Sequence, residues 1–244
     1  MDYRRIFSPL DQPSGPWRGQ SFLGAECAAT PRVPAILRAH VFFDGQNLFR
    51  SAKAAYGYSF PNYDPVALAT LVCQRRSLRC SGVHFYTGVH RATENRFWYD
   101  FWSLKLRILG TRGVDVISRP LAYAIESVSL PDGTRAEIRV AREKGIDVRI
   151  ALDMVRLARE GAYDVAVVFS QDQDLNEAVS EVHRIREETG RWMKVYCAYV
   201  VDDTGGHRPW IRGAAPLPIT RAEYERCIDP FDYRGRRDDR PSRT

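Results

Sequence analysis

Short apolar runs alternate with amphipathic stretches from residue 39 to residue 200. The runs 39–43 (AHVFF), 83–87 (VHFYT), 114–118 (VDVIS), 164–169 (DVAVVF) and 194–200 (KVYCAYV) read as buried strands, rich in β-branched and aromatic side chains. Between them the apolar positions recur at helical spacing. Asp64-Pro65 is a cap followed by proline at the first helical position, and it opens a helix to about Arg76. Over 92–110, Phe97, Phe101, Leu104 and Ile108 fall on one helical face, and 147–160 and 174–188 complete the set. Strands separated by helices predict an α/β fold: three layers, with a mainly parallel central sheet between two layers of helices. The run ESVSLPDGTRAEIRV breaks the pattern. Two alternating stretches around a Pro-Asp-Gly turn predict a β-hairpin inserted before residue 143.

The flanks lack this periodicity. Residues 1–38 carry Pro9, Pro13, Pro16, Pro31 and Pro34 and read as an irregular, extended N-terminal arm, with Phe7, Trp17 and Phe22 available to pack on the body. Residues 201–244 read as an irregular C-terminal tail with one or two helical turns in ITRAEYERC and disorder over the last ten or so residues. The folded domain is therefore expected over 39–200. No apolar run reaches the eighteen residues a membrane span needs, and the mean hydropathy is −0.38. Pro9, Asp11 and Pro13 stand where a signal peptide needs an apolar block, so a cytoplasmic chain with no membrane partner is expected. The five scattered cysteines form no C-x-x-C pair and read as reduced, buried, small apolar residues.

Charge changes the picture through its position. Residues 73–119 hold nine basic side chains against three acidic ones, which equals the whole net charge of +6, whereas 120–200 are acidic. A phosphate-binding surface beside a carboxylate cluster would have this distribution. So would an arginine-rich composition without function, and charge alone does not choose between them.

Three acidic segments sit at strand ends or helix starts, where open α/β sheets bind their ligands. In VFFDGQNL an apolar strand ends at Asp44, Gly45 allows a turn, and Asn47 follows three residues later; capping and chemistry explain Asp44 equally well. In REKGIDVRIALDM, Asp147 opens an amphipathic helix beside Lys144. Asp153 lies six residues on, rotated by about 120° from the Asp147 direction, and is the weaker candidate. In VAVVFSQDQDL the most apolar strand runs into Ser170, Asp172 and Asp174. Asp174 with Glu177 fits a capping box, which leaves Asp172 without a structural explanation. Carboxylates this close repel unless a proton or cation lies between them, and a hard divalent cation such as Mg²⁺ or Mn²⁺ suits oxygen ligands.

FFDGQN, KGIDVRIALDM and VVFSQDQDL together resemble the three characteristic blocks of the NYN domain family, the PIN-like nucleases, over roughly residues 39–200. The resemblance implies a PIN-like, Rossmann-like fold and a metal-dependent ribonuclease acting on RNA through Mg²⁺ or Mn²⁺. It maps the family pattern onto Asp44 and Asn47, onto Lys144, Asp147 and Asp153, and onto Ser170, Asp172 and Asp174. Asp44, Asp147, Asp172 and Asp174 would hold the metal, with Asn47 and Lys144 positioning the phosphate. Gln171 and Leu175 depart from the glycine and phenylalanine that the third block often carries. Arg91, Arg96, Trp98 and Trp102 are the further candidates for RNA, the arginines for phosphate and the tryptophans for stacking on unpaired bases. The rival reading is a non-catalytic RNA-binding module that keeps the acidic pocket for structure. A phosphatase using Asp44 is weaker, because the second aspartate it needs would fall at Gln46. No nucleotide cofactor is expected, since no G-x-G-x-x-G follows the first strand. Homo-oligomerisation is left open.

Overall fold

The computed structural model describes residues 33–129, 134–202 and 210–234. In chain order the elements are β1 (Arg38–Asp44), α1 (Gly45–Tyr56), α2 (Pro65–Arg75), β2 (Arg79–Val89), α3 (Arg96–Thr111), β3 (Asp115–Pro120), β4 (Ala122–Ser129), β5 (Arg135–Arg142), α4 (Ile146–Arg159), β6 (Val165–Phe169), α5 (Asn176–Thr189), β7 (Lys194–Val200), β8 (Ala215–Ile219) and α6 (Arg221–Glu225). Six strands form one sheet in the order β3-β2-β1-β6-β7-β8, and every pairing in it is parallel. This is the three-layer α/β fold with a parallel central sheet expected from the sequence. The inserted hairpin is also present as the antiparallel pair β4–β5; its Pro-Asp-Gly turn lies outside the described residues.

The central strands are buried on both faces, so alternate side chains feed two separate cores. Val41 and Phe43 of β1 pack with Phe85, Phe101 and Trp102 on the side of α1, α2 and α3. Phe42 packs with Tyr86, Ile150, Met154 and Val182 on the side of α4 and α5. From β1 the chain winds to β2 and β3 in one direction; from β6 it winds to β7 and β8 in the other. The winding reverses between β1 and β6, and there the strand ends leave a crevice.

Two expectations change. The inward face of α3 is Phe101, Trp102, Lys105 and Leu109, while Phe97 is 47% exposed. The buried stripe is rotated from the expected one, because the Lys105 stem covers the core with its ammonium satisfied. Its Nζ donates to Tyr63 O at 2.8 Å and lies 3.5 Å from Asp229. Burial nevertheless pulls the Lys105 ammonium down to about 8, against the opposing pull of Asp229.

The second change is at the C-terminus, where the fold runs past residue 200. Ile211, Leu217, Ile219, Tyr224 and Tyr233 are buried in it. Strand β8 reads APLPI, which carries no strand signal. Ile219 O accepts from Val201 N at 3.0 Å, so Pro216 and Pro218 turn their missing donors to the open edge, where proline is tolerated. The arm expected over 1–38 lies, through residue 32, outside the described residues, and so do the last ten residues.

Candidate active site

Four acidic side chains line one cavity of about 320 Å³ at the crevice between β1 and β6: Asp44, Glu143, Asp147 and Asp172. Each arrives from a different turn of the fold. Asp44 ends β1 and caps α1, with its Oδ1 accepting from Asn47 N at 2.9 Å. Its Oδ2 accepts from Ser170 Oγ at 3.1 Å, and Ser170 Oγ in turn accepts from Asp172 N at 3.2 Å. The capping and chemical readings of Asp44 therefore hold together: one oxygen caps the helix and the other joins the β6 loop. Asn47 ties the same two elements, its Oδ1 accepting from Gln171 N at 3.1 Å. Gly45 is helical and provides close packing instead of the expected turn. A Cβ there would stand 2.7 Å from Phe85 Cζ.

Asp172 caps a single 3-10 turn over Gln173–Leu175, accepting from Asp174 N at 3.0 Å. The cap expected at Asp174 is thus supplied by Asp172, and Asp174 is exposed and does not line the cavity. Asp147 stands in the first turn of α4, where the helix dipole favours a carboxylate.

Glu143 carries no signal in the sequence that would single it out. It follows β5, and its carboxylate accepts from Gly88 N at the end of β2. A side chain on Gly88 would collide with it, since a Cβ would lie 2.6 Å from Glu143 Oε2. The neighbouring Lys144 is exposed and outside the cavity. Arg50, one turn along α1 from Asn47, together with Gln46, Asn47 and Arg142, completes the polar lining. Neither Arg50 nor Gln46 is among the candidates the sequence singles out, and nothing in the sequence chooses between the adjacent Glu143 and Lys144.

Asp153 is not at the cavity. It is 5% exposed on α4, where it accepts from Tyr86 Oη at 3.1 Å and pairs with Arg149 at 2.8 Å. These contacts fix α4 against β2 and do not reach the cavity. Trp102 is 2% exposed and forms part of the core, so its ring faces cannot stack on a base as expected. Trp98 is half-buried against that core. Arg91 lines a separate cleft, and Arg96 is exposed and pairs with Asp100 at 2.7 Å.

The cavity is electrostatically strained. Asp44 is pushed up to about 6, first by burial and further by the charge of Asp172, although its two hydrogen bonds and Arg50 pull the other way. Glu143 is pushed up to about 7 by burial, then by Asp44 and Asp147. An acidic oxygen-donor set under mutual repulsion fits a hard cation such as Mg²⁺. Among the described residues, no group of three or more acidic, imidazole or thiol side chains is drawn together closely enough to hold a metal ion.

The NYN domain model matches residues 38–205, and the chain belongs to the NYN domain family. That membership points to a nuclease-like, RNA-related function. Among solved structures the chain is similar to a protein of unknown function, VPA0982, from Vibrio parahaemolyticus, at 18% identity and TM-score 0.46 over 77% of this chain and 96% of that one. It also matches MurG from Acinetobacter baumannii at 9% identity and TM-score 0.29, over 75% of this chain and 45% of that one. No curated protein matches. Among the described residues no helix is long and apolar enough to cross a membrane.

Proposed function

We propose that the protein is a ribonuclease that hydrolyses RNA phosphodiester bonds with Mg²⁺ or Mn²⁺. The observation that carries this reading is the convergence of Asp44, Glu143, Asp147 and Asp172 on one crevice of a NYN domain, with two of the carboxyls held above their ordinary range. A bound divalent ion would supply an acidified water and neutralise charge on the phosphoryl group. Asp44, Asp147 and Asp172 would hold it, with Glu143 as a fourth ligand or as the acceptor of a proton from the attacking water. Glu143 is suited to the second task because burial and its acidic neighbours push its carboxyl up to about 7, in the range of a general base. Ser170 and Asn47 orient the ligands by fixing the β6 loop against α1. Asn47 would contact the scissile phosphate, as the resemblance expects, with Arg50 in place of Lys144.

The test is cleavage of a single-stranded RNA by purified protein with Mn²⁺ and with EDTA. Asp172→Asn keeps the helix cap but removes a ligand charge, and should cost on the order of 10² or more in rate. Asp174→Asn, outside the cavity, should stay within a few-fold of wild type. Equal activity in wild type and Asp172→Asn would refute the site. RNA bound but never cut would return the protein to the class of non-catalytic RNA-binding modules.

A further inference from the structure

A second cavity adjoins the acidic one and shares Gln46 with it. It is a slot of about 190 Å³ walled by Gln46, Phe49, Pro61, His90, Trp98 and Trp102. His90 in turn borders a wider cleft of about 610 Å³ that contains Arg91 and Arg119. Three cavities therefore run in sequence along the carboxyl ends of the strands, linked by shared side chains: acidic pocket, aromatic slot, basic cleft.

The slot is smaller than the roughly 300–1,000 Å³ of drug-sized ligand pockets, which limits it to one planar ring system. Three of its six walls are the aromatic side chains Phe49, Trp98 and Trp102, and Gln46 and His90 add polar groups. Trp102 is 2% exposed and presents only a small part of its ring there, whereas Trp98 is half-buried and offers more surface. Such walls suit a flat aromatic ring, with polar side chains available to its edge. His90 Nδ1 is held by Tyr123 Oη at 2.9 Å, which fixes the ring at the mouth.

Resting on the ribonuclease reading of the adjoining pocket, we propose that the slot receives one unpaired nucleobase of the RNA, next to the scissile phosphate. The base lies against Trp98 with Gln46 and His90 at its edge, and the strand continues over Arg91 and Arg119. A cavity of about 190 Å³ takes one base and not a base pair, so single-stranded RNA is the substrate class. Trp102 contributes the edge of its ring to this contact, which is compatible with its place in the core.

The test uses short single-stranded RNAs in which one 2-aminopurine is moved base by base, bound to the Asp172→Asn protein. Quenching should be strong at a single position and weak elsewhere. In wild type, an abasic nucleotide at that same position should lower kcat/KM on the order of tenfold, the range expected when one stacked base is lost. Trp98→Leu should erase the difference between intact and abasic substrates. Quenching at no position, or an abasic scan without a sensitive position, would overturn the slot whether or not Trp98→Leu folds. Cleavage without position-specific quenching would leave the nuclease standing and remove the slot. Quenching without cleavage under any divalent ion would keep the slot and remove the nuclease.

Discussion

Asp44→Asn should make the protein more stable and inactive at once. Asp44 is 5% exposed, and its carboxyl is raised from an ordinary 3.8 to about 6. Above pH 6 both folded and unfolded chains carry the charge, and the folded state bears the full cost of burying it. Between 6 and 3.8 the unfolded chain is still ionised while the folded one is already protonated, so the cost shrinks, and below 3.8 it is gone. That difference in proton affinity between the two states corresponds to about 3 kcal/mol at most. Asparagine retains what the carboxylate does structurally. Its Oδ1 can accept from Asn47 N, and its Nδ2 can donate to Ser170 Oγ, which has a lone pair to spare beside its bond from Asp172 N. Asparagine and aspartate are also equivalent helix caps. The expected gain at pH 7.5 without divalent ions is about 1–3 kcal/mol, or roughly 2–10 °C in Tm for a domain of this size. The assay is thermal unfolding of both proteins from pH 4 to 8 in EDTA, repeated with Mn²⁺. The gain should shrink toward pH 4, and Mn²⁺ should stabilise wild type far more than the variant. A variant that melts at or below wild type at pH 7.5, with a pH-independent difference, would refute the claim that this carboxylate is buried against its preference.

Cleavage at subsaturating Mn²⁺ should rise with pH between about 5.5 and 7.5, since Asp44 and Glu143 must lose protons near 6 and 7; Glu143→Gln should remove the upper part of that rise, and a flat profile in wild type would contradict the assignment. Acid should destabilise the fold separately through His40. This side chain is buried beside His84, 3.0 Å between ring nitrogens, and burial followed by the His84 charge lowers it from 6.5 to about 4. The unfolded chain takes up its proton first as pH falls, so stability should be lost between pH 6.5 and 4. The loss should be about 1–2 kcal/mol, because solvent screens part of the ring. Urea unfolding of wild type and His40→Gln across that window checks this, and equal pH slopes in the two proteins would count against it.

The layered α/β architecture is legible in the residues alone, because five strands and their helices carry strong periodicity and no competing pattern. So are Asp44, Asp147 and Asp172, which fall where parallel strands and helix starts point at a ligand. Local pattern could not decide side-chain direction in irregular segments. Glu143 and Lys144 are neighbours, and Glu143 enters the cavity only because the β4–β5 hairpin returns the chain past Gly88. Asp153 is drawn in by its charge, but α4 turns it toward Tyr86 instead. Trp102 belongs to the core because the buried stripe of α3 is set by what packs on it, including a Lys105 whose charge is satisfied by the C-terminal segment. Strand β8 was invisible because its two prolines are tolerated only on an open sheet edge. Whether β8 lies at an edge is a property of the assembled sheet, and no property of its five residues records it.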